Sequence, residues 1–402
     1  MSQVPPPIPH EEAQARLLAM AEPLGSERLP TGEVAGRYLA SPLTANRTQP
    51  PADLSAMDGY AVRADELLGP WQVVGESAAG HPFGRGLAPG EAIRISTGAL
   101  MPPGDGAVLL QENAVREGDA LRLNGEDSAT ARHIRRKGLD FTHGDTLLAA
   151  GARMSPAALA LALAGGHGSL EVGRLPRIAV LDSGDELAAD PEAAAPHQIP
   201  ASNGAMLAAM CKGLVSGIDR LGPVPDTMEA MRAALAQADK ADVLVTSGGA
   251  SVGDHDLVRP ALEEWGAEIA FWRIAMKPGK PLLIARKGAQ FVVGLPGNPV
   301  SSMVTAYLFL LPLLRRLAGA AQPLPRAITL PTLDTLPPTG SRAEFVRARM
   351  GDGGVALLGQ QDSSALRALA ASEALIARPA HAGETKAGDM VPVYLLSGGG
   401  WT

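Results

Sequence analysis

Three glycine-rich segments in this chain have carboxylates close by, and that pairing could do chemistry on a phosphate. Asp182-Ser183-Gly184-Asp185-Glu186-Leu187 puts two acids just past an apolar run, RIAVLD. Thr246 to Asp256 (TSGGASVGDHD) holds Gly248, Gly249 and Gly253, with Asp254 and Asp256 behind them. Gly294 to Ser301 (GLPGNPVS) is a turn feeding a helix start. Glycine lets backbone N–H groups approach an anion closely. A helix N-terminus attracts phosphate or a similar oxyanion. Taken singly, each loop also reads as an ordinary tight turn. Together they place Glu186, Asp226 and Asp256 where a Mg²⁺–phosphate site needs acids, because Mg²⁺ is held by one or two carboxylates plus substrate oxygens. The competing roles are plain ones. Glu186 and Asp256 could be helix caps or first-turn acids, and Asp226, after Pro225, reads as the N-cap of a helix over 226–238.

The segment FWRIAMKPGKP sets Arg273, Lys277 and Lys280 around a turn pinned by Pro278 and Gly279. A cationic cluster beside an acidic one suits an anionic substrate with a bound cation; the alternative is a basic surface loop. Lys280 follows Gly279 without the upstream glycine of a Walker loop, and no G-x-G-x-x-G fingerprint occurs. SAMDGYAVR (55–63) and RISTGALMPPGDGAVLLQE (94–112) set Asp58 and Thr97 at turns flanked by strands. HIRRKGLDF (133–141) is a basic run ending in Asp140, which by itself reads as a solvated strand edge. Arg347 in EFVRARM and Ser363 in QQDSS carry no signal alone.

These loops need elements to hold them. From 176 to 317 apolar strand patterns alternate with helical ones. Strand 177–182 precedes a helix starting near Asn203, and a strand near 217–221 precedes helix 226–238. Strand 241–247 precedes helix 256–265. Strand 268–276, a hairpin (PLLIARKGAQFVVGL) and a long helix from about Val300 to Leu317 complete the series. This alternation predicts a doubly wound α/β domain with a mainly parallel sheet, whose ligands sit beyond the carboxyl ends of the strands. Residues 42–137 hold short β-rich runs separated by Gly and Pro, which predicts a β domain. Helices are expected at 10–22, 31–41 and 155–164. Residues 323–402 read as a small β barrel or sandwich.

Composition narrows the function classes. The 402 residues are long for one core, and 46% are hydrophobic although only 3% are aromatic, so Ala, Leu and Val must do the packing. A net charge of −7 argues against a nucleic-acid partner. Cys211 is the single cysteine, so neither an intramolecular disulfide nor a thiolate cluster can form. The N-terminus has no secretory pattern. The longest apolar stretch, Met303 to Leu314, contains Pro312 and reads as too short to span a bilayer. The expectation is a cytoplasmic protein with no membrane partner.

SAMDGYAVR, RISTGALMPPGDGAV, IRRKGLD, SGDEL, SGGASVGDHD, MKPGKP and GLPGNPVS, in that order and spacing, resemble the molybdopterin molybdotransferase family of MoeA and the gephyrin E domain. The likeness covers about residues 30–365. It implies an elongated homodimer of four-part protomers: a helical linking domain (1–48 and 138–175), an inserted β domain (49–137), an α/β molybdopterin-binding domain (176–322) and a C-terminal β barrel (323–402). It implies an active site shared between the α/β domain of one protomer and the β domain of the other. Asp58, Thr97 and Asp140 would act there with Glu186, Asp226 and Asp256, the last three holding Mg²⁺. Ser183, Gly184, Ser202, Asn203, Ser247, Gly248, Gly249, Ser251, Pro296, Gly297, Asn298 and Pro299 would contact the pterin or nucleotide. Molybdate, a tetrahedral dianion, would meet Arg273, Lys277, Lys280, Arg347 and Ser363.

The implied reaction takes adenylylated molybdopterin and molybdate, releases AMP and leaves molybdenum on the pterin's own sulfurs, so no protein cysteine is required. Implied partners are a molybdopterin adenylyltransferase and acceptor molybdoenzymes, met transiently. Four positions depart from the pattern. Asp182 stands for a usual Ser, Ala201 for a usual Asp, Arg273 for a frequent Lys and Asp362 for a common Gly. Asp362 beside Ser363 is unfavourable for an oxyanion unless it turns away or pairs with Arg347. A gephyrin-like scaffold would need a peptide groove that the sequence does not identify, and the retained acids and KPGK loop favour an enzyme. An adenylyltransferase or CinA-like nucleotide enzyme would not need the N-terminal β domain and C-terminal barrel. Sequence does not choose between molybdate and tungstate.

Overall fold

A computed structural model describes residues 6–104, 106–248 and 257–396. Gly249, Ser251, Gly253, Asp254 and Asp256 lie outside the described residues.

The α/β domain is built on a six-stranded sheet. From one edge the order is Gly217–Val224, Arg177–Ser183, Val243–Ser247, Gln290–Leu295, Leu283–Lys287 and Glu268–Trp272. The first four run parallel, and the last two are antiparallel additions. Val243–Ser247 and Gln290–Leu295 are buried at every residue, which is why they read as continuous apolar runs rather than alternating ones. Helices Asn203–Cys211 and His10–Met20, with the long C-terminal helix of this domain, cover one face. Helices Met228–Gln237 and Val258–Glu264 cover the other. From strand Arg177–Ser183 the chain moves first to one side and later to the other. The gap between that strand and Val243–Ser247 is therefore the topological switch point, where a ligand crevice opens.

The long helix runs from Pro299 to Leu317, with a π-turn at Ala306–Leu310. At 19 residues it is long and apolar enough to cross a membrane by length and composition alone. Its most apolar window is 94% buried inside the protein, so it serves as a core helix. Pro312 cannot donate to the carbonyl of Leu308, four residues earlier. The buried Gln14 side chain supplies that bond instead, Nε2 to Leu308 O at 2.8 Å, and so pins the N-terminal helix to this one.

Three local expectations are corrected. Residues 31–41 form a single 3₁₀ turn, Thr31–Glu33, and then turns, because Pro30 and Gly36 (φ +79°) bracket a segment too short to propagate a helix. The helix expected at 226–238 starts at Met228, capped by Thr227, whose hydroxyl accepts from Ala230 N at 3.2 Å. Asp226 is not the cap and stays outside the helix. Strand 268–276 is two strands in two sheets: Glu268–Trp272 closes the α/β sheet, and Met276–Lys277 pairs with Ala343 and Glu344 of the C-terminal sheet. Arg273 sits at the break with φ +71°.

Strand Ser26–Pro30 pairs with Ser169–Gly173, and Leu43–Thr44 pairs with Thr146–Leu148. Segments on either side of the β domain thus zip together, and the β domain projects from that stem. Its sheet orders Gly106–Leu110, Gly59–Arg63, Glu91–Ile95, Trp71–Ser77, Ala120–Leu123 and Ala114–Glu117. The C-terminal sheet runs Met276–Lys277, Ala343–Gly351, Ala374–Arg378, Met390–Leu395 and Ile328–Pro331, with Gly354–Leu357 beside Ala343–Gly351. A lone bridge, Thr332 to Val355, links its far ends. The result is a half-barrel rather than a barrel closed by a continuous ladder.

Candidate active-site cleft

At the switch point a cleft of about 810 Å³ opens over the strand ends. Its lining includes Ser183, Gly184, Glu186, Ser202, Asn203, Asp226, Ser247, Gly248, Pro296, Gly297, Asn298 and Pro299, so residues from all the strand-end loops converge there.

Asn203 holds the floor. Its Nδ2 donates to Ser247 Oγ at 2.9 Å and to the Gly297 carbonyl at 2.6 Å, tying the start of one helix to the ends of two strands. The glycines allow the loops to nest. Gly248 has φ +100°, and a Cβ there would meet Ser183 O at 3.1 Å. Gly184 has φ +145°, and a Cβ would meet Glu186 Oε2 at 2.3 Å, so the Glu186 carboxylate folds back over that glycine. Asp226 accepts from Asp185 N at 3.4 Å, and Asp185 accepts from Asp226 N at 3.1 Å. Exposed Glu186 and Asp226 therefore share one rim. Among the described residues no group of three His, Cys, Asp or Glu stands ready for a metal. The residues present still fit Mg²⁺, which needs only one or two carboxylates beside phosphate oxygens.

Asp182 is 4% exposed and lines the cleft from below. Burial pushes its carboxyl pKa up, against the opposing pull of Arg220 and the Gly204 N–H. A Cβ at Gly204 would sit 2.1 Å from Asp182 Oδ2, so glycine is what lets the carboxylate reach the start of helix Asn203–Cys211. The departure at 182 thus supplies a helix N-terminal partner.

The expectation of a free helix N-terminus at Pro299 is corrected in part. Pro299 has no N–H, Val300 N donates to Ser363 O at 3.1 Å, and Ser302 N donates to Asn298 O at 2.9 Å. Ser363 also accepts from Asn298 Nδ2 at 3.0 Å. The loop bearing Ser363 is therefore docked on this helix start, and its neighbours Ser364 and Leu366 line the cleft.

Arg347 is placed differently from a molybdate ligand. It is 1% exposed, and its guanidinium donates to the carbonyls of Gln360 and Asp362 at 2.9 Å each and of Ala365 at 3.4 Å. Its Nη1 and Nη2 are directed at the loop, and the residue does not line the cleft. Burial lowers its pKa, opposed by the charge of Asp362. Asp362 turns its carboxylate onto Ser364, accepting from its N at 2.8 Å and its Oγ at 2.5 Å. Those bonds hold the Asp362 pKa below the usual range.

Arg273, Lys277 and Lys280 do not line the cleft, although Pro281 does. Lys277 Nζ lies 3.4 Å from Glu344 Oε1, and Arg273 sits 6.0 Å from the Trp272 ring centre. In the β domain Asp58 Oδ1 accepts from Thr97 N at 2.7 Å, and the hydrogen bonds from Thr97 lower the Asp58 pKa. Exposed Asp140 donates its N–H to Gln49 O at 3.0 Å. Neither Asp58 nor Asp140 lines the cleft.

Sequence reading missed the apolar wall: Leu187, Ile199, Leu257, Val258 and Leu366. Ile199 and Leu366 are 58% and 47% exposed. Leu187 and Ile199 stand in two-residue strands, and Val258 and Leu366 open helices of seven and five residues, elements too short to show a periodic signal that could have marked them.

Residues 8–166 match the MoeA N-terminal region (domains I and II), 179–316 match a probable molybdopterin binding domain, and 329–396 match the MoeA C-terminal region (domain IV). A molybdopterin molybdenumtransferase of Haemophilus influenzae is 33% identical, over 95% of this chain and 97% of that one. One of Bacillus subtilis is 30% identical, over 97% and 94%. A solved molybdopterin biosynthesis MoeA protein of Pyrococcus horikoshii superposes with a TM-score of 0.81 at 25% identity, covering 97% of this chain and all of that one. With full-length likeness on all of these measures, and a cleft built from the segments that carry it, the chain belongs to the molybdopterin molybdenumtransferase family.

Proposed function

We propose that this chain transfers molybdenum from molybdate to adenylylated molybdopterin, with release of AMP, in the cleft at the switch point. The observation that carries this reading is the cleft's composition. Two exposed carboxylates, Glu186 and Asp226, stand on the rim of a pocket whose floor is Asn203, Ser247 and Gly297 and whose wall is apolar. Such a pocket suits a planar heterocycle joined to a phosphoanhydride. Glu186 and Asp226, with Asp256 as the further candidate, would hold Mg²⁺, which supplies charge neutralisation to the phosphates when bound. Asn203 fixes the positions of the Ser247 and Gly297 loops against the substrate. Gly248 and Gly184 leave room for backbone N–H groups to approach the phosphate chain.

Arg273, Lys277 and Lys280 would receive molybdate, with Ser363 docked beside Asn298. In a homodimer, Asp58, Thr97 and Asp140 of a second protomer would complete the site. The adenylyltransferase that makes the substrate and the molybdoenzymes that accept the product are its expected transient partners. The buried free thiol of Cys211 supports a reducing, cytoplasmic setting.

The test is to incubate the protein with adenylylated molybdopterin, molybdate and Mg²⁺, following AMP release and molybdenum on the pterin. Molybdate-dependent turnover that falls about 100-fold or more in Glu186→Gln is expected. Pterin bound without turnover by the wild type would point to a scaffold, and ATP-dependent AMP transfer to molybdopterin would point to an adenylyltransferase.

A further inference from the structure

A second cavity, of about 570 Å³, lies where the linking segment, the end of helix Pro299–Leu317 and the start of the C-terminal domain meet. It shares no lining residue with the cleft. Gly151 packs so tightly on the linker that a Cβ there would meet Ala321 N at 2.6 Å. That contact brings Arg153 and the 321–328 linker to the same opening.

Three guanidiniums line this cavity, those of Arg153, Arg315 and Arg326, and no carboxylate does. This is unusual in a chain of net charge −7. Arg153 and Arg326 are exposed, and with the described residues their side chains make no hydrogen bond or ion pair. Arg315 is 5% exposed and donates to the Pro323 carbonyl at 3.3 Å. Burial lowers its pKa, opposed by Tyr38 and Tyr307, and the like charge of Arg153 adds a smaller lowering. Tyr38 is also 5% exposed and lines the cavity, and its hydroxyl bonds no described residue. The rest of the lining is largely apolar, including Leu324 and Ile328, which are 41% and 42% exposed.

We propose that this cavity binds a small organic anion of the phosphate-monoester class. Arg153, Arg315 and Arg326 grip the oxyanion, Tyr38 donates to it, and the apolar body rests on Leu324 and Ile328. Guanidiniums suit phosphate because their planar donors match its oxygens in pairs. A bare oxyanion would leave the apolar side of the cavity uncovered.

The test titrates the intact protein with phenyl phosphate and, separately, with inorganic phosphate by calorimetry. Phenyl phosphate is expected to saturate at one per chain and to bind at least about tenfold more tightly than inorganic phosphate. Arg153→Gln and Arg326→Gln, both at exposed positions, are each expected to weaken it about tenfold, the loss of one charge-assisted contact. Asn203→Ala in the cleft is expected to leave it unchanged. Absence of saturable binding, equal affinity in the arginine variants, or inorganic phosphate binding as tightly would each overturn the proposal. So would weakened self-association in Arg153→Gln with no phenyl phosphate bound by the wild type, which would make the cavity an interface between copies.

Discussion

The cleft wall built by the α/β sheet and the wall contributed by residues 360–366 are held by different means. The first rests on four parallel strands, two of them buried at every residue, and Asn203 only ties together loops the sheet has already aligned. The second is a loop with no ladder of its own. Its backbone is gathered by the buried Arg347 side chain and by Gln361, whose amide bonds the Arg347 backbone, and is then fastened to the helix start through Ser363. Redundant hydrogen bonding makes the first wall tolerant of single changes, whereas the second concentrates its support in two side chains, of which Arg347 is the buried one.

The largest expected effect follows from that concentration. Arg347→Ala should destabilise the protein by about 3–5 kcal/mol, because three carbonyls lose their donor and a cavity opens in a buried site. Chemical denaturation measures this. Arg347→Lys should not restore stability, since an ammonium cannot reproduce a planar fork. If Arg347→Ala unfolds like the wild type, the two walls are not built differently.

Asp182, on the sheet side, gives a pH signature. Its folded-state pKa is raised by burial. Its contribution to stability is therefore fully present below the unfolded value of about 3.9 and is lost as pH rises through the folded value. Asp182→Asn, which keeps an acceptor for Gly204 N, should gain in Tm relative to wild type as pH goes from about 4 to 7. A Tm difference that stays flat over that range would remove burial of the charge as the dominant cost. The smallest effect belongs to the fastening between the walls. Asn298→Ala removes one exposed bond to Ser363 and should cost about 0.5–1.5 kcal/mol, while loosening the loop enough to raise KM for the pterin substrate more than it lowers kcat.

Much of this architecture is legible in the sequence. Strands such as Val243–Ser247 and Gln290–Leu295 announce themselves as unbroken apolar runs, and the glycines and acids at their ends mark the crevice side. The boundaries that failed did so for identifiable reasons. Thr227 competed with Asp226 for one cap, and both residue types cap well. Arg273 broke a strand at a left-handed backbone position that no propensity assigns to arginine.

What the sequence determined by itself was chemistry that depends on local order: which loops end which strands, which acids follow which glycines, and the family likeness those segments carry. What only the tertiary structure decided was the use of each charge. Arg347 and Lys277 look alike as cations in the chain, yet one is 1% exposed and bonded to carbonyls while the other is exposed and paired with Glu344. The same holds for Asp182, whose carboxylate is assigned to a helix start by the close approach of Gly204, and for Arg153 and Arg326, which share a cavity despite their separation in sequence. Burial and partner geometry are long-range properties, and no window of residues contains them.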